Sequence, residues 1–568
     1  MGGYMKSISS ILFFIFVVLN LNLIAENYLL NGGQKSKIKY KLIQQVEPTN
    51  ETVTVDLTFV VPQSFKSSTY NQEISEFNIS FTKDPENKKE WLDKHGNKVV
   101  SYSWSAPRTS FQAEISLISL NSLLLDGIET DTPFPVKNVP EQVLQYLSAT
   151  EQVPVDDPEI KYKAQELVKE ARTQFDAVQK ILSWIIDHMQ YVLTPQEYGA
   201  LYSLRNGKGN CQNYSHLAAA LMRASGIPVR IVNGITLKRP YDVKIENSVL
   251  TLNMAQGRHS WIEVYFPDLG WMPFDPQQTE LFVSNRFIRV EVGLDNEETV
   301  NDGLVRWTRQ KGSKKSLSFE ESIDAEFLQD QVAITANKQD FGPRKLLLQP
   351  IVQANFIPVT TPEIEELPIY DPKELMKLKF EKEYVYGNLE FPEGINFAFI
   401  RQSIESEEGK TQELQKNFLV ETAEYVTSKL QYAQIFILDK PIQLHKIGLA
   451  LQKFGGEGQL WLELREDENG FPGPVAAKSL PVDLKSLSIK PGYFWIDFDF
   501  SAQKLLLMPD KYWITLGYIG TPIVNWFYSY GKPVGPIDGT RYKDKSEETW
   551  SRRLSYEYNY RIIGLTIP

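Results

Sequence analysis

The chain has a single cysteine, Cys211, which follows two closely spaced glycines, Gly207 and Gly209. Further along, His259 and Asp275 each lie in a short segment rich in apolar residues. A thiol, an imidazole and a carboxylate that meet in space perform acyl transfer through a thioester. The residue types therefore predict a Cys-His-Asp set, provided that three separate elements bring the side chains together.

A helix is predicted from Cys211 to Ala224, because its apolar residues recur at helical spacing and Gly226 and Pro228 follow it. Cys211 then lies at the helix N-terminus, where the positive end of the dipole favours a thiolate. Its backbone N–H could also stabilise an oxyanion. A lone cysteine is more often a buried small apolar residue. The glycines before it and the matching downstream segments favour a reactive thiol instead.

The segment Trp261 to Tyr265 alternates like a strand, and His259 lies just before it. Trp271 to Asp275 is the predicted antiparallel partner after a turn at residues 267–269. Such a hairpin would place His259 near Asp275, which would hold the imidazole in one tautomer. The alternative is that Asp275, before Pro276, only forms a turn.

Four ordered blocks then match a known pattern: Gly207 to Cys211, Arg223 to Arg230, His259 to Tyr265 and Gly270 to Asp275. With them, the segment from about residue 176 to residue 295 resembles the bacterial transglutaminase-like superfamily. The resemblance implies a papain-like α+β core. It also implies that Cys211 is the nucleophile, His259 the general base and acid, and Asp275 the orienting carboxylate.

Two positions depart from the family pattern, which often has aspartate at Asn213 and alanine at Ser260. Both changes are conservative in size and leave the three predicted catalytic residues intact. In animal relatives an upstream tryptophan helps to hold the oxyanion. Trp184 and Tyr191 are upstream aromatic residues here, and we interpret both as core packing.

Composition limits the classes of function. The 568 residues carry a net charge of −11, which argues against nucleic-acid binding and against binding to anionic membranes. One cysteine permits no internal disulfide and no cysteine-rich zinc site. The other histidines show no metal-ligand spacing, so we predict neither metal nor cofactor. His216, one turn beyond Cys211, is interpreted as a packed or surface residue.

The N-terminus is typical of a secretory signal peptide at residues 1–25. Lys6 precedes a short apolar run, Ile11 to Leu19, and Ala25 offers a cleavage point. The alternative, an uncleaved membrane anchor, is disfavoured because the run is short for a membrane span. We therefore expect a secreted, periplasmic or cell-surface protein without a stable membrane span.

The pattern of elements predicts a multidomain α+β protein. We assign residues 26–135 to an N-terminal β-sandwich, 136–295 to the transglutaminase-like core, and 381–568 to a C-terminal β-sandwich or jelly roll. Residues 296–380 are predicted to be a linker with a small β unit, including strands at 331–335 and 345–349.

The C-terminal portion resembles jelly-roll accessory domains of secreted bacterial proteins, which often bind glycans. A cell-wall or surface glycan is therefore one expected partner. Trp526, Phe527, Tyr528 and Tyr530 could stack on sugar rings, but an ordinary strand core is the favoured interpretation. Asp467, Glu468 and Asn469 could bind calcium, but a solvated turn is favoured.

These observations predict an exported thiol-dependent enzyme that acts on protein or peptide amides through a Cys211 thioester. The same three residues serve hydrolysis by water and crosslinking by a lysine amine, so the residues do not choose between them. Family resemblance favours a peptidase or amidase over a crosslinking transglutaminase. The alternative function is a noncatalytic surface adhesion, scaffold or glycan-binding protein.

Overall fold

A computed structural model describes residues 27–192, 195–245, 248–277, 281–310, 312, 315–339, 347–350, 352–353, 367–375, 377–389, 400–405, 410–416, 423–427, 429–489, 494–530, 534, 539–550 and 552–568. The predicted signal peptide lies outside these residues. The protein is mostly β. In the part of the chain that the structure describes, no helix has the length and apolarity that a bilayer crossing requires.

Eight strands come first: β1 (Asn27–Glu47), β2 (Thr52–Val61), β3 (Phe65–Lys66), β4 (Tyr70–Phe81), β5 (Asn87–Leu92), β6 (Lys98–Ser105), β7 (Phe111–Leu124) and β8 (Ile128–Glu129). The central segment contains α1 (Glu141–Leu144), α2 (Pro158–Val168), α3 (Gln174–His188), β9 (Gln190–Tyr191), α4 (Ala200–Asn206), β10 (Lys208–Gly209), α5 (Cys211–Ala224), β11 (Val229–Thr236), β12 (Tyr241–Ile245), β13 (Ser248–Leu252), β14 (Gly257–Phe266), β15 (Gly270–Phe274) and β16 (Phe287–Gly293).

The segment after β16 contains β17 (Leu304–Gln310), β18 (Ser318–Gln339), β19 (Leu347–Pro350), β20 (Val352–Gln353), α6 (Pro372–Leu375), β21 (Lys382–Gly387), β22 (Ile400–Glu405) and β23 (Lys410–Lys416). The last strands are β24 (Ala423–Tyr425), β25 (Leu430–Ile437), β26 (Ile442–Gly455), β27 (Gly458–Glu468), β28 (Phe471–Lys478), β29 (Val482–Asp483), β30 (Phe494–Asp499), β31 (Leu506–Leu507), β32 (Lys511–Gly520), β33 (Ile523–Tyr530), β34 (Thr540–Asp544), β35 (Arg552–Leu554), β36 (Tyr556–Tyr558) and β37 (Tyr560–Thr566).

The N-terminal strands form two sheets that enclose a common apolar core. One sheet contains β18, β1, β7, β4 and β3 side by side, and the other has the order β22-β23-β17-β2-β6-β5. Alternating residues of both sheets, such as Leu42 of β1 and Leu57 of β2, are buried in one cluster. This is the packing that strands with period-2 apolar residues produce.

Residues 304–339 belong to this sandwich by strand pairing. β17 pairs with β2, and the 22-residue β18 pairs with β1 over almost its whole length. The strand predicted at 331–335 is therefore confirmed, but it joins the first sandwich rather than a separate small unit. Of the strand predicted at 345–349, residues 345–346 lie outside the described residues, and 347–349 belong to β19 beside β1. The predicted domain boundaries themselves stay a prediction.

The central segment packs helices against a four-stranded antiparallel sheet. The strand order is β15-β14-β11-β16. Helix α5 lies against β14 and β11, with α2 and α3 beside it. Residues such as Ile181 of α3, Leu217 of α5 and Ile262 of β14 meet in one buried cluster. The apolar faces of these helices thus form the underside of the core, and they fix the position of α5.

The last strands form a second sandwich. The sheet segment β28-β27-β32-β25-β34 lies opposite the sheet built around β21, β37, β26 and β33. The strand-core interpretation is confirmed for Trp526, Phe527 and Tyr528, whose side chains are buried in this sandwich. The side chain of Tyr530 is not among those that the structure describes. The Asp467 carboxylate accepts hydrogen bonds from the Trp513 indole at 2.7 Å and the Gly470 N–H at 3.1 Å. Asp467 therefore stabilises a turn.

Hairpin β12–β13 of the central segment joins the two sandwiches. β12 pairs in parallel with β18, and β13 pairs in parallel with β35.

A buried ion cluster connects β14 to the first sandwich. The Arg258 guanidinium donates to Asp302 at 2.6 Å and to Glu321 at 2.8 and 2.9 Å. The element that contains His259 is thereby tied to the first sandwich.

Candidate active site

The Cys211 residue opens helix α5, as predicted from the glycines and the helical spacing. Asn210 is the N-cap, and its side chain accepts from the Gln212 N–H at 3.1 Å. The Asn213 side-chain oxygen accepts from the Asn210 N–H at 3.1 Å, completing a capping box. Among the described residues, these contacts leave the Cys211 N–H without a partner at the positive end of the helix dipole.

Glycine is required at two positions before the cysteine. Gly207 ends α4 in the left-handed conformation, with φ of 61°. A Cβ on Gly209 would lie 2.2 Å from the Asn213 Cβ, which is an impossible separation. The Gly-x-Gly spacing of the sequence therefore lets the chain turn sharply and lets Asn213 cap the helix that presents the thiol.

The predicted hairpin brings His259 and Asp275 together. β14 and β15 are antiparallel, with Ile262 opposite Phe274, so Asp275 follows the last paired residue. His259 lies within β14 rather than just before it. Its Nε2 is 2.8 Å from Oδ2 of Asp275, and the Asp275 carboxylate is fully buried. Asp275 also accepts from the Gln277 N–H at 3.0 Å, so the turn-forming interpretation holds beside the His259 contact.

Cys211 also acts on His259. It contributes to the raised pKa of the imidazole, and because Nε2 faces Asp275, Nδ1 is the nitrogen left for the sulfur. Burial alone would lower the pKa of His259, but the negative charge and hydrogen bond of Asp275, and then Cys211, raise it to about 10. This arrangement favours the imidazolium form of His259 beside the sulfur.

Aromatic rings enclose the imidazole. The Phe287 ring lies edge-on to His259 with centroids 5.5 Å apart, and the Trp261 centroid is 6.0 Å away. Trp261 fits because Gly234 on the neighbouring strand has no side chain, and a Cβ there would lie 2.3 Å from the indole. Cys211 is only 3% exposed, so the reactive groups are largely shielded from water.

Glu263, the glutamate of the strand motif, is structural. Its buried carboxylate accepts from Arg230 at 2.6 Å and from Arg289 at 2.7 Å. The Arg230 guanidinium also lies 4.2 Å from the centroid of the Trp271 ring. Three of the blocks recognised in the sequence, those containing Arg230, Glu263 and Trp271, are thus linked by one contact network that holds the sheet of His259.

The upstream aromatic residues lie where packing was expected. Trp184 stacks on His188 with ring centroids 4.3 Å apart and packs against the helical core. Tyr191 is buried, and its backbone pairs with Gly209. The packing interpretation is confirmed for both residues.

Sequence reasoning missed a different aromatic residue, Tyr198. Burial, and then the negative charge of Cys211, raise the pKa of its phenol. Tyr198 lies in the loop before α4, which has neither helical nor strand periodicity, so no pattern indicates it. His216 was interpreted as a packed or surface residue, and it is packed: it is 1% exposed and hydrogen-bonded to the Tyr198 carbonyl at 2.7 Å. Its spacing of five residues from Cys211 gave no sign of that contact.

Within the described ranges, no group of three or more histidine, cysteine, aspartate or glutamate side chains is arranged to hold a metal ion. The side chains of the site can supply a nucleophilic sulfur, an acid–base imidazole and a carboxylate.

Comparisons with known proteins relate one segment of the chain to a family. The transglutaminase-like superfamily profile matches residues 161–276. The uncharacterized protein YebA of Bacillus subtilis is 27% identical over 134 residues, which are 22% of this chain and 18% of YebA. A protein-glutamine gamma-glutamyltransferase of Pseudomonas aeruginosa is 29% identical over 128 residues, 21% of this chain and 18% of that enzyme.

Among solved structures, a candidate cysteine protease from Cytophaga hutchinsonii shares 18% identity, with a TM-score of 0.36, over 56% of this chain and 95% of its own. The chain spans less than a fifth of the YebA and Pseudomonas relatives. The profile match includes Cys211, His259 and Asp275, the residues that the fold brings together. Over residues 161–276 the chain therefore carries a transglutaminase-like domain of the bacterial kind.

Proposed function

We propose that the protein is an exported thiol-dependent acyl-transfer enzyme that acts on protein or peptide amides. The observation that supports it is the contact chain from Cys211 through His259 to Asp275 at a helix N-terminus. Buried charges of this kind are costly to maintain, and they cluster at functional sites.

The reaction begins when the Cys211 thiolate attacks the amide carbonyl and forms a carbon–sulfur bond. The carbonyl electron pair moves to oxygen, and the Cys211 N–H stabilises the oxyanion. The imidazolium of His259 gives its Nδ1 proton to the leaving amine as the carbon–nitrogen bond breaks. A thioester remains, and His259 is neutral.

The neutral imidazole then takes a proton from the acceptor, either water or a primary amine. The acceptor attacks the thioester, the carbon–sulfur bond breaks, and the thiolate–imidazolium pair is restored. Asp275 does not exchange a proton, but it orients the ring and stabilises its charged form. Because the site supplies the same groups to both acceptors, we propose hydrolysis as the main reaction on the strength of the family resemblance alone.

The test is a mass-spectrometric search for the thioester with a panel of glutamine-containing peptides, scored in the presence and absence of a fluorescent primary amine. We expect a covalent adduct on Cys211, release of ammonia or amine, and more hydrolysed than amine-linked product. Cys211→Ala should abolish every product. Persistence of amide cleavage or amine incorporation in this variant would show that the assignment is wrong.

Export is part of the proposal and rests on the signal-like segment at residues 1–25. N-terminal sequencing of the protein from its native cell should find a first residue near Glu26 in an extracytoplasmic fraction. Recovery of the protein in the cytosol with residues 1–25 intact would contradict it.

A further inference from the structure

The segment that follows β16 contacts both elements that carry the site. The Asn296 backbone N–H donates to Nε2 of His216 on α5 at 3.1 Å. The Asn296 side-chain oxygen accepts from the Ser260 hydroxyl on β14 at 3.0 Å. One residue therefore links the helix that begins with Cys211 to the strand that contains His259.

The protonation state of His216 follows from its two partners. A backbone N–H donates to its Nε2, so this nitrogen must be unprotonated. Nδ1 then carries the proton and donates to the Tyr198 carbonyl at 2.7 Å. The residue is buried, and its burial lowers the pKa of the imidazole to about 4. His216 is therefore a neutral hydrogen-bonding link at neutral pH.

Asn296 is held in place by the rest of its segment. Its amide donates to the Thr299 hydroxyl at 3.2 Å, and the Asn233 amide of β11 donates to the Thr299 carbonyl at 2.7 Å. At the start of the segment, the Arg223 guanidinium of α5 donates to the Leu294 carbonyl at 2.6 Å. The segment is thus fixed to α5 and to the sheet by buried side chains, so a contact made by Asn296 restrains both elements.

Ser260 is the residue through which this link reaches the histidine. It directly follows His259 on β14 and shares a strand face with Ile262. Ile262 packs in the buried cluster that includes Leu217 of α5, so this face is turned towards the helix. A hydrogen bond that holds Ser260 therefore restrains the distance between α5 and the backbone from which the His259 imidazole projects.

We propose that the Ser260–Asn296–His216 link holds the strand of the histidine against the helix of the cysteine, and so sets the separation of the imidazole from the sulfur. Its three members are positioning residues, because each acts through the element on which it lies. The inference deepens the proposed acyl-transfer function and rests on it for its biological meaning. It also gives Ser260 a role, since the alanine that the family pattern often has at this position lacks the hydroxyl.

The test uses the full chain and needs no substrate, because the single cysteine makes every alkylation event a report on Cys211. The rate of modification by iodoacetamide is measured at pH 6 and at pH 9.5, and the ratio of the two rates is compared between variants. A cation beside the sulfur favours the thiolate at pH 6, whereas at pH 9.5 a free thiol is already ionised. Displacement of the imidazole therefore lowers the ratio, whereas a looser fold that only exposes Cys211 raises both rates alike.

We expect Ser260→Ala to lower this ratio about fivefold, the scale of one neutral hydrogen bond, and Asn296→Ala to lower it by a similar factor. The double variant should lower it no further, because both changes break the same hydrogen bond. Ser225→Ala is the matched control, since it removes a hydroxyl that donates to the Leu221 carbonyl at 2.9 Å at the other end of α5. Its ratio should equal the native ratio.

Two substitutions of His216 separate its two hydrogen bonds. Glutamine can present an oxygen near the position of Nε2 and keep the acceptor for Asn296. Asparagine can present an N–H near the position of Nδ1 and keep only the donor to Tyr198. We expect His216→Asn to lower the ratio as Ser260→Ala does, and His216→Gln to keep the native ratio.

Lowered ratios in Ser260→Ala and Asn296→Ala, with no further loss in the double variant, support the proposal. Native ratios in both single variants overturn it, and so does a double variant that shows the product of the two single effects. An equal loss in Ser225→Ala also overturns it, because the effect is then a general loosening of α5. Equal losses in His216→Asn and His216→Gln overturn the helix end of the link. Ser260→Ala removes one oxygen atom from a buried site, so it keeps the test valid if another variant fails to fold.

The native ratio separates this proposal from the proposed function. A native ratio equal to that of free cysteine would refute the Cys211–His259 pairing and the positioning role together. A higher native ratio that Ser260→Ala and Asn296→Ala leave unchanged would refute the positioning role alone. Failure of every amide substrate would refute the proposed function without altering these ratios.

Discussion

Replacing Asp275 with asparagine should uncouple the cysteine from its histidine. In the native protein the pKa of His259 is raised to about 10 from the ordinary 6.5, although burial acts to lower it. Asp275 supplies the largest of the opposing contributions, through its charge and its hydrogen bond. Asparagine has the same shape but no charge, so burial will then bring the pKa of His259 down to its ordinary value or below.

The magnitude follows from the size of the shift. A rise from 6.5 to about 10 corresponds to a preference of about 5 kcal/mol for the charged imidazolium. Without it the imidazole is neutral at pH 7, and Cys211 loses its cationic neighbour. A free cysteine is only about one thirtieth ionised at pH 7, so we expect alkylation of Cys211 in this variant to slow by up to about thirtyfold.

The assay is the iodoacetamide alkylation rate between pH 5.5 and 9.5. The native imidazolium keeps its proton until the pH approaches 10, so the cation beside Cys211 is present over this whole range. The Asp275→Asn rate should therefore fall furthest below the native rate at the acidic end and approach it at the alkaline end. Asp156→Asn is the matched control, since Asp156 is 84% exposed and forms a surface ion pair with Lys161. Overlapping profiles for native protein and Asp275→Asn would refute the reasoning.

Three further changes test the architecture. Gly209→Ala should destabilise the fold by about 1–3 kcal/mol and slow the alkylation of Cys211, because the added Cβ clashes with Asn213. Urea unfolding measures the loss of stability, and an unchanged unfolding midpoint would contradict the close packing. Glu263→Gln leaves the buried Arg230 and Arg289 without their carboxylate partner, so we expect the free energy of unfolding to fall by about 3–5 kcal/mol in the same assay. A loss below about 1 kcal/mol would show that solvent reaches these guanidinium groups. His216 has its pKa lowered to about 4, chiefly by burial, so the unfolded chain takes up its proton first as the pH falls from 6.5 to 4. The free energy of unfolding therefore falls by roughly 3 kcal/mol between pH 6.5 and pH 4. His216→Asn should reduce the dependence of the thermal unfolding midpoint on pH in this range. An equal pH dependence in both proteins would exclude the contribution of His216.

The placement of Cys211, His259 and Asp275 on their elements could be predicted because each lies near the start or end of a segment with helical or strand periodicity. Helical spacing places Cys211 at the start of α5, and a Gly-Trp turn pairs β14 with β15. Local patterns of this kind identify elements and hairpins reliably. The meeting of α5 with that hairpin has no local signal, and it was inferred through the family resemblance.

Local sequence patterns could not predict contacts between segments that are far apart in the chain. Nothing in residues 318–339 indicates that they pair with residues 27–47, because strand periodicity identifies a strand but not its partner. Tyr198 was missed for a similar reason: its position depends on hydrogen bonds to its backbone carbonyl, which any residue type could accept. Residues whose role depends on backbone placement leave little trace in residue type.

The long pairing of β1 with β18 has a consequence for biosynthesis. Glu47 at the end of β1 lies beside Ser318, 271 residues later in the chain. A ribosome adding about 5–20 residues per second needs roughly 15–50 s to make the intervening polypeptide. During that time the edge of the 21-residue β1 stays open to association with other nascent chains. The transglutaminase-like domain at residues 161–276 is therefore synthesised before β1 acquires this neighbour.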